Sequence, residues 1–312
     1  MKTIDEILAK SPDNGHVSLF EHCLHTRQAI EVFARRIDFP FDVAIALKGA
    51  TLHDLGKAHT YFQDRMNKII NGSLSNRCNK FIHRHELSSL AFLPAFPLEE
   101  WDTLIEMVVA HHKSITDDPR RRGILDIASC DRHWIDNHLQ DWEEWSQYGI
   151  QILNKLGYTC TGINRDKARM ALLYAVEYCE LQTFGWSAWR GLLMAADHFA
   201  SAFTAKELET TFEVPDLSAY FKPERTNPLY PLSLIRVDDT RPHTLVVAST
   251  GAGKTDFLLK RCRGRIFYTL PFQASINAMW ERLKATIPNK DIRLLHATSK
   301  IVVGNNMEEK ML

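Results

Sequence analysis

Thr51-Leu52-His53-Asp54-Leu55-Gly56-Lys57-Ala58 is the stretch on which the reading of this chain turns. Phe41, Val43, Ile45, Leu47 and Ala50 lead into it at helical spacing, and Gly56 is placed to stop that helix. His53 and Asp54 then stand side by side at a buried helix end. A neutral imidazole beside a carboxylate offers a metal one nitrogen and one or two oxygens. A bare His-Asp pair is more often a core histidine satisfied by its neighbour, so the decision rests on whether more ligands arrive from elsewhere.

Upstream, a helix is predicted from about Ser18 to Ile37, with Ser18 as N-cap, Glu21 at the capping-box position, and Leu19, Cys23, Thr26, Ile30 and Phe33 as its apolar stripe. His22 lies on that stripe. Downstream, after a polar loop at Asn71-Gly72-Ser73, a helix carries Phe81-Ile82-His83-Arg84-His85-Glu86-Leu87. His83 and His85 are two apart and cannot both face inward. Trp101, Leu104, Ile105 and Val108 form a stripe that runs straight onto His111 and His112, two imidazoles that are costly to desolvate without partners. The region from Asp117 to Gly149 reads as irregular and polar, with a solvated Arg120-Arg121-Arg122 loop and a Trp-rich acidic segment, Asp141-Trp142-Glu143-Glu144-Trp145. Helices are expected at about Arg165–Leu181 and Trp186–Phe203, and Asp197 sits at the edge of the second one's stripe, where a carboxylate needs a cation or several donors. His22, His53, Asp54, His85, His111, His112 and Asp197 are too many ligands for one metal and suit two, and the mixed N/O set favours a transition metal over magnesium.

The chain has 312 residues, enough for two domains, with 45% hydrophobic and 10% aromatic content. No apolar run reaches membrane-spanning length, and the start has no signal-peptide form. Cys23, Cys78, Cys130, Cys160, Cys179 and Cys262 include no C-x-x-C pair, which argues against a zinc ribbon or a disulfide framework. A cytoplasmic protein is expected. The zero net charge hides an asymmetry, because residues 241–300 carry 11 Lys/Arg against 3 Asp/Glu. Such a segment suits phosphate or nucleic acid, or is simply a solvated face.

Pro215, Pro223, Pro228, Pro231 and Pro242 mark a linker at 213–243 between an all-α domain at 1–212 and an α/β segment at 244–312. In the latter, Leu245-Val246-Val247-Ala248, Ile266–Leu270 and Ile292–Leu295 are predicted as strands of a parallel sheet. Gly251-Ala252-Gly253-Lys254-Thr255 follows the first and opens a helix, a loop whose N–H groups suit phosphates, with Lys254 reaching the β/γ oxygens and Thr255 holding Mg²⁺. The first Gly of the strict P-loop pattern is missing.

Taken together, these motifs resemble, in order and along the whole chain, the CRISPR-associated signature nuclease–helicase of type I interference systems. Leu19-Phe20-Glu21-His22-Cys23-Leu24-His25-Thr26 is similar to that family's first ligand motif, His53-Asp54-Leu55-Gly56-Lys57 with Phe62-Gln63 to its HD motif, and His85-Glu86 with Ser88 or Ser89 to its third. The third match selects His85 over His83. His111-His112 and Asp197 complete the set, and Tyr268–Met279 is similar to helicase motif Ia. The resemblance implies an HD-type metal-dependent phosphohydrolase domain followed by the front of a RecA-like helicase domain. One divalent transition metal (Fe, Mn, Ni or Co rather than Mg) would be held by His22, His53, Asp54 and Asp197. The other would be held by Asp54, His85, His111 and His112, with Asp54 bridging. Lys57 is either a phosphate ligand or a solvated lysine. The implied substrate is single-stranded DNA, with an RNA-guided surveillance complex (Cascade) as partner and unwinding driven by ATP and Mg²⁺, bound through Gly251, Gly253, Lys254 and Thr255. No D-E-x-H box and no arginine-finger motif occurs, so the sequence reads as the front of such a protein and ATP hydrolysis is not expected of it. The alternatives are a phosphohydrolase of nucleotides or cyclic dinucleotides, or a fragment that only binds DNA or a partner.

Overall fold

The computed structural model describes residues 3–10, 17–37, 39–70, 83–112, 114–116, 123–185, 187–202, 232, 235, 243–262, 266–287, 292–295, 300–301 and 310–311. The chain divides into two compact units, Met1–Leu208 and Glu209–Leu312. The Asn71-Gly72-Ser73 loop, Arg120-Arg121-Arg122 and, apart from Leu232, Ile235 and His243, the proline-rich linker lie outside the described residues.

The first unit is helical. Helix α1 (Leu19–Arg36) starts at Ser18, whose hydroxyl accepts from Glu21 N while the Glu21 carboxylate reaches back to Ser18 N, a closed capping box. Its face of Leu19, His22, Cys23, Thr26, Ile30 and Phe33 is buried. Helix α2 (Val43–Leu52) is N-capped by Asp42, which accepts from Ala44 N and Ile45 N. It packs on α1, and α10 (Ala188–Ala202) packs on both. Helix α5 (Trp101–Ala110) lies against α2 and α10, while the short α4 (His85–Leu90) lies against α5 and the 3₁₀ turn Leu55–Ala58. Helix α3 (Thr60–Ile70) follows that turn.

The stretch from Asp117 to Gly149 departs from the irregular structure expected of it. Its described part forms α6 (Ile124–Cys130), α7 (Trp134–His138) and the start of α8 (Trp142–Lys155), ahead of α9 (Arg165–Leu181). Trp142 and Trp145 are 1% and 0% exposed and anchor the core with Phe92, while Asp141, Glu143 and Glu144 beside them face outward. The helical period was hidden because Trp142, Trp145, Gly149, Ile152 and Leu153 are separated by strongly polar neighbours.

The second unit also departs from expectation. Helices occur at Lys254–Arg261 and Gln273–Thr286, but 245–248, 266–270 and 292–295 form no strand. Among the described residues the only strands are Lys300–Ile301 and Lys310–Met311, paired antiparallel. Leu245, Val247, Phe267 and Leu295 are 91%, 89%, 80% and 73% exposed. A parallel strand forms only where neighbours pair its edges and helices cover its faces, and apolar composition alone supplies neither. The RecA-like α/β architecture is therefore not formed by the described residues. The glycine loop does take shape: Gly251 and Gly253 have φ of 82° and 88°, and Gly253 leads directly into the helix at Lys254. The Lys254 ammonium donates to Ala248 O and Ser249 O. No helix among the described residues is long and apolar enough to cross a membrane.

Gly56 has a different reason to be glycine from the helix stop expected of it. Helix α2 ends at Leu52, and a Cβ on Gly56 would stand 2.0 Å from His85 O and 2.6 Å from Ser89 N. The residue lets the 3₁₀ turn press against the backbone of α4. Because those neighbours are backbone atoms, Gly56→Ala is expected to destabilise by about 1–3 kcal/mol through overpacking. A melting temperature equal to that of the wild type would show that the turn and α4 part without cost.

Candidate metal centre

Five helices and the turn after α2 bring the seven predicted ligands together. His53 is the C-cap of α2, Asp54 occupies the turn after it, His85 opens α4, and His111 is the C-cap of α5 with His112 next to it. His22 comes from the first turn of α1, and Asp197 from α10. The C-terminal ends of α2 and α5, which carry partial negative charge, both face the cluster and favour a cation there.

The side chains fall into two groups whose ligand atoms lie within 4.8 Å of one another: His22, His53, Asp54 and Asp197, and His85, His111 and His112. His22 Nε2 is 3.0 Å from Asp54 Oδ2 and 3.1 Å from Asp197 Oδ1, and His53 Nε2 is 3.3 and 3.8 Å from the same oxygens. The other oxygen of Asp54 turns to the second group, 3.2 Å from His85 Nε2 and 3.9 Å from His111 Nε2. His85 and His112 approach at 3.1 Å between their Nε2 atoms. One carboxylate thus addresses both groups with different oxygens.

Backbone carbonyls fix the rings. Nδ1 of His53 lies 2.8 Å from Ala50 O, and Nδ1 of His111 lies 2.5 Å from Val108 O. Each ring pairs with a carbonyl three residues earlier, which assigns a proton to Nδ1 and turns Nε2 to the cluster, the usual support of a metal-ligating imidazole. Short distances notwithstanding, His22 Nε2, His53 Nε2, Asp54 Oδ1 and His111 Nε2 are buried atoms without a hydrogen bond. Four such atoms converging from separate elements are expensive unless a cation sits among them, and the donor set fits a divalent transition metal.

The charges agree. Burial works to neutralise Asp54, but His53 and then Lys57 override it and hold the carboxyl well below its usual range. Burial also opposes ionisation of Asp197, which His22 and His53 reverse. His111 is pushed well down by burial and by His112, and His112 is lowered by burial and by His85, so both stand neutral as ligands. His53 is the exception: burial opposes its protonation, yet Asp54 and Asp197 raise it to about 10.

Lys57, on the 3₁₀ turn, places its ammonium 2.6 Å from Asp54 Oδ2 and is held protonated against burial by that carboxylate. Ser89 ties the turn to α4, donating to His53 O at 2.8 Å and accepting from Gly56 N at 2.8 Å. Of the two serines left open by the sequence, Ser89 therefore holds the HD turn, whereas Ser88 meets His83.

His83 stands apart from the ligand groups. It packs between His59 and His138, at ring centroid distances of 4.5 and 5.6 Å, in a side pocket closed by Trp145. Burial lowers His59 and His138 to about 4 and His83 well below its ordinary value, so these rings are neutral packing elements. Gln63 is also structural to the site: it accepts from Leu8 N and donates to Leu8 O and Lys57 O. No local pattern announces the bonds to Leu8, which lies 55 residues away in the chain.

A model of the HD domain matches residues 19–144, a span that holds His22, His53, Asp54, His85, His111 and His112 and ends before Asp197. HD domains bind divalent metals, and the match together with the buried cluster supports an HD-type metal-dependent phosphohydrolase. Neither comparison with curated proteins nor comparison with solved structures gave a match.

A proton and a metal compete for His53 Nε2. Since the metal-free imidazole titrates near 10, it is protonated at neutral pH and must release that proton on loading. Apparent metal affinity is expected to rise steadily from about pH 6 to 9 with about one proton released, as calorimetry in buffers of different ionisation enthalpy will measure. The sign for the metal-free fold is opposite: His53 contributes stability fully below its unfolded value of about 6.5 and loses it as pH rises toward 10. Affinity independent of pH over that range would mean that His53 does not ligate.

Proposed function

We propose that this chain is a dinuclear metal-dependent phosphodiesterase that cuts single-stranded DNA in type I CRISPR interference. The observation that carries the dinuclear reading is Asp54, whose Oδ2 faces His22 and His53 while its Oδ1 faces His85 and His111. His22, His53, Asp54 and Asp197 would hold one cation, and Asp54, His85, His111 and His112 the other. When bound, such a pair supplies charge at the attacking and leaving oxygens of an in-line displacement.

The chain's own residues do the rest. Lys57 keeps Asp54 ionised and has further N–H donors for a phosphate oxygen. The first ligand group is closed off, with His22, His53 and Asp54 no more than 1% exposed, whereas His112 is exposed and His85 half-buried. Substrate therefore approaches from the His85–His112 side. The DNA substrate and the surveillance complex as partner rest on the order of motifs along the chain. The left-handed Gly251 and Gly253 ahead of Lys254 and Thr255 support nucleotide phosphate, as ATP with Mg²⁺, as the ligand of the second unit.

The test is metal-dependent nicking of circular single-stranded DNA by purified protein. Asp54→Ala is expected to reduce cleavage to background, because it removes the ligand shared by both groups. His83→Ala, two residues from His85 but in the neutral side pocket, is expected to keep activity within a few-fold. Full activity in Asp54→Ala would overturn the mechanism, and hydrolysis of nucleotides without DNA cleavage would overturn the substrate.

A further inference from the structure

The first described residues fold across the candidate site. Ala9 N donates to Val17 O, Leu19 N donates to Ile7 O, and the buried Gln63 carboxamide bonds both backbone groups of Leu8. Because Gln63 also donates to Lys57 O at 2.7 Å, one side chain fixes this segment to the turn that bears Lys57. Lys10 ends the segment. Its ammonium donates to Ser201 O at 2.9 Å, and the Ser201 hydroxyl stands 3.5 Å from Asp197 Oδ1. Ser201 is four residues, or about 6 Å of helix rise, beyond Asp197.

Capping the end of α10 accounts for only part of this arrangement. An ammonium has three donors, and the carbonyl takes one. Among the described residues no carboxylate lies within ion-pair distance of Lys10, although Asp197 and Asp54 are near enough to act on it. Burial and the neighbouring Lys57 both disfavour its charge, and on balance they lower its pKa. The fold thus holds, on a clamped backbone, a second cation beside Lys57 that lacks a full counter-charge. Lys57 is already paired with Asp54, so an anion beside the two lysines would chiefly answer the charge of Lys10.

We propose that Lys10 binds the phosphate adjacent to the one being cut, with Lys57 facing the scissile phosphate and Gln63 positioning both lysines. The inference rests on the nucleic-acid reading of the site and adds to it a phosphate subsite along α10. A single-phosphate substrate would leave that subsite empty, whereas a polynucleotide fills it.

The test is fluorescence anisotropy of a labelled phosphorothioate oligothymidylate, which resists cleavage, with the metal-loaded full chain over about 50–300 mM salt. Lys10→Met is expected to weaken binding several-fold and to make the slope of log affinity against log salt shallower by about 0.7, the loss of one phosphate contact to a single strand. Lys10→Arg should restore the slope, and metal content should match the wild type throughout. An unchanged slope in Lys10→Met, or loss of metal in that variant, overturns the proposal while leaving the nuclease reading intact. Wild-type protein that loads metal but does not bind the oligonucleotide overturns both.

Discussion

A carboxylate buried to 1% exposure amid imidazoles is the constraint around which the helical unit is built. Asp54 cannot remain ionised there on solvation, so the fold surrounds it with groups that supply or accept positive charge. That requirement explains why the ends of α2, α4 and α5 meet at this point, joined by His22 from the first turn of α1 and Asp197 from within α10. A terminus exposes free backbone carbonyls and lets the chain turn, so His53 and Asp54 can leave α2 in different directions. His111 and His112 exploit the end of α5 in the same way.

Much of this was legible in the sequence because it is local. A capping box, a stripe at i, i+4 and i+7, and a His-His pair ending an apolar face each follow from neighbouring residues, and helix α1 and the end of α5 were readable on that basis. Contacts that join distant segments left no such mark. Gly56 reads as a helix terminator, yet its reason lies in the backbone of α4, some thirty residues on. Periodicity allowed only one of His83 and His85, two residues apart, to face inward without saying which, and a family motif had to decide. The structure gives each ring a different pocket.

The misread parts have a common physical origin. Between Asp117 and Gly149 a count of polar residues underrates Trp142 and Trp145, each of which buries more surface than any single aliphatic side chain. Beyond residue 243 the opposite error operates. Short runs such as Leu245–Ala248 have strand composition, but a strand is a property of a sheet, and these runs join no ladder among the described residues. The glycine loop before Lys254 depends on two local backbone conformations, and it forms without the sheet.

The unequal burial of the two candidate ligand groups would impose an order on ion traffic. A chelator or an incoming ion reaches His112 directly, but His22 and His53 lie behind Asp54 and Asp197. An ion in the inner group would leave only when one of those carboxylates swings aside, a slow event because Asp54 is also tied to Lys57. An ion in the outer group would be open to solvent on the side of His112, although Asp54 and His111 would hold it from within. Depletion would then halt at a half-loaded protein long before it yields a bare one, and reconstitution would fill the inner position first or trap it empty.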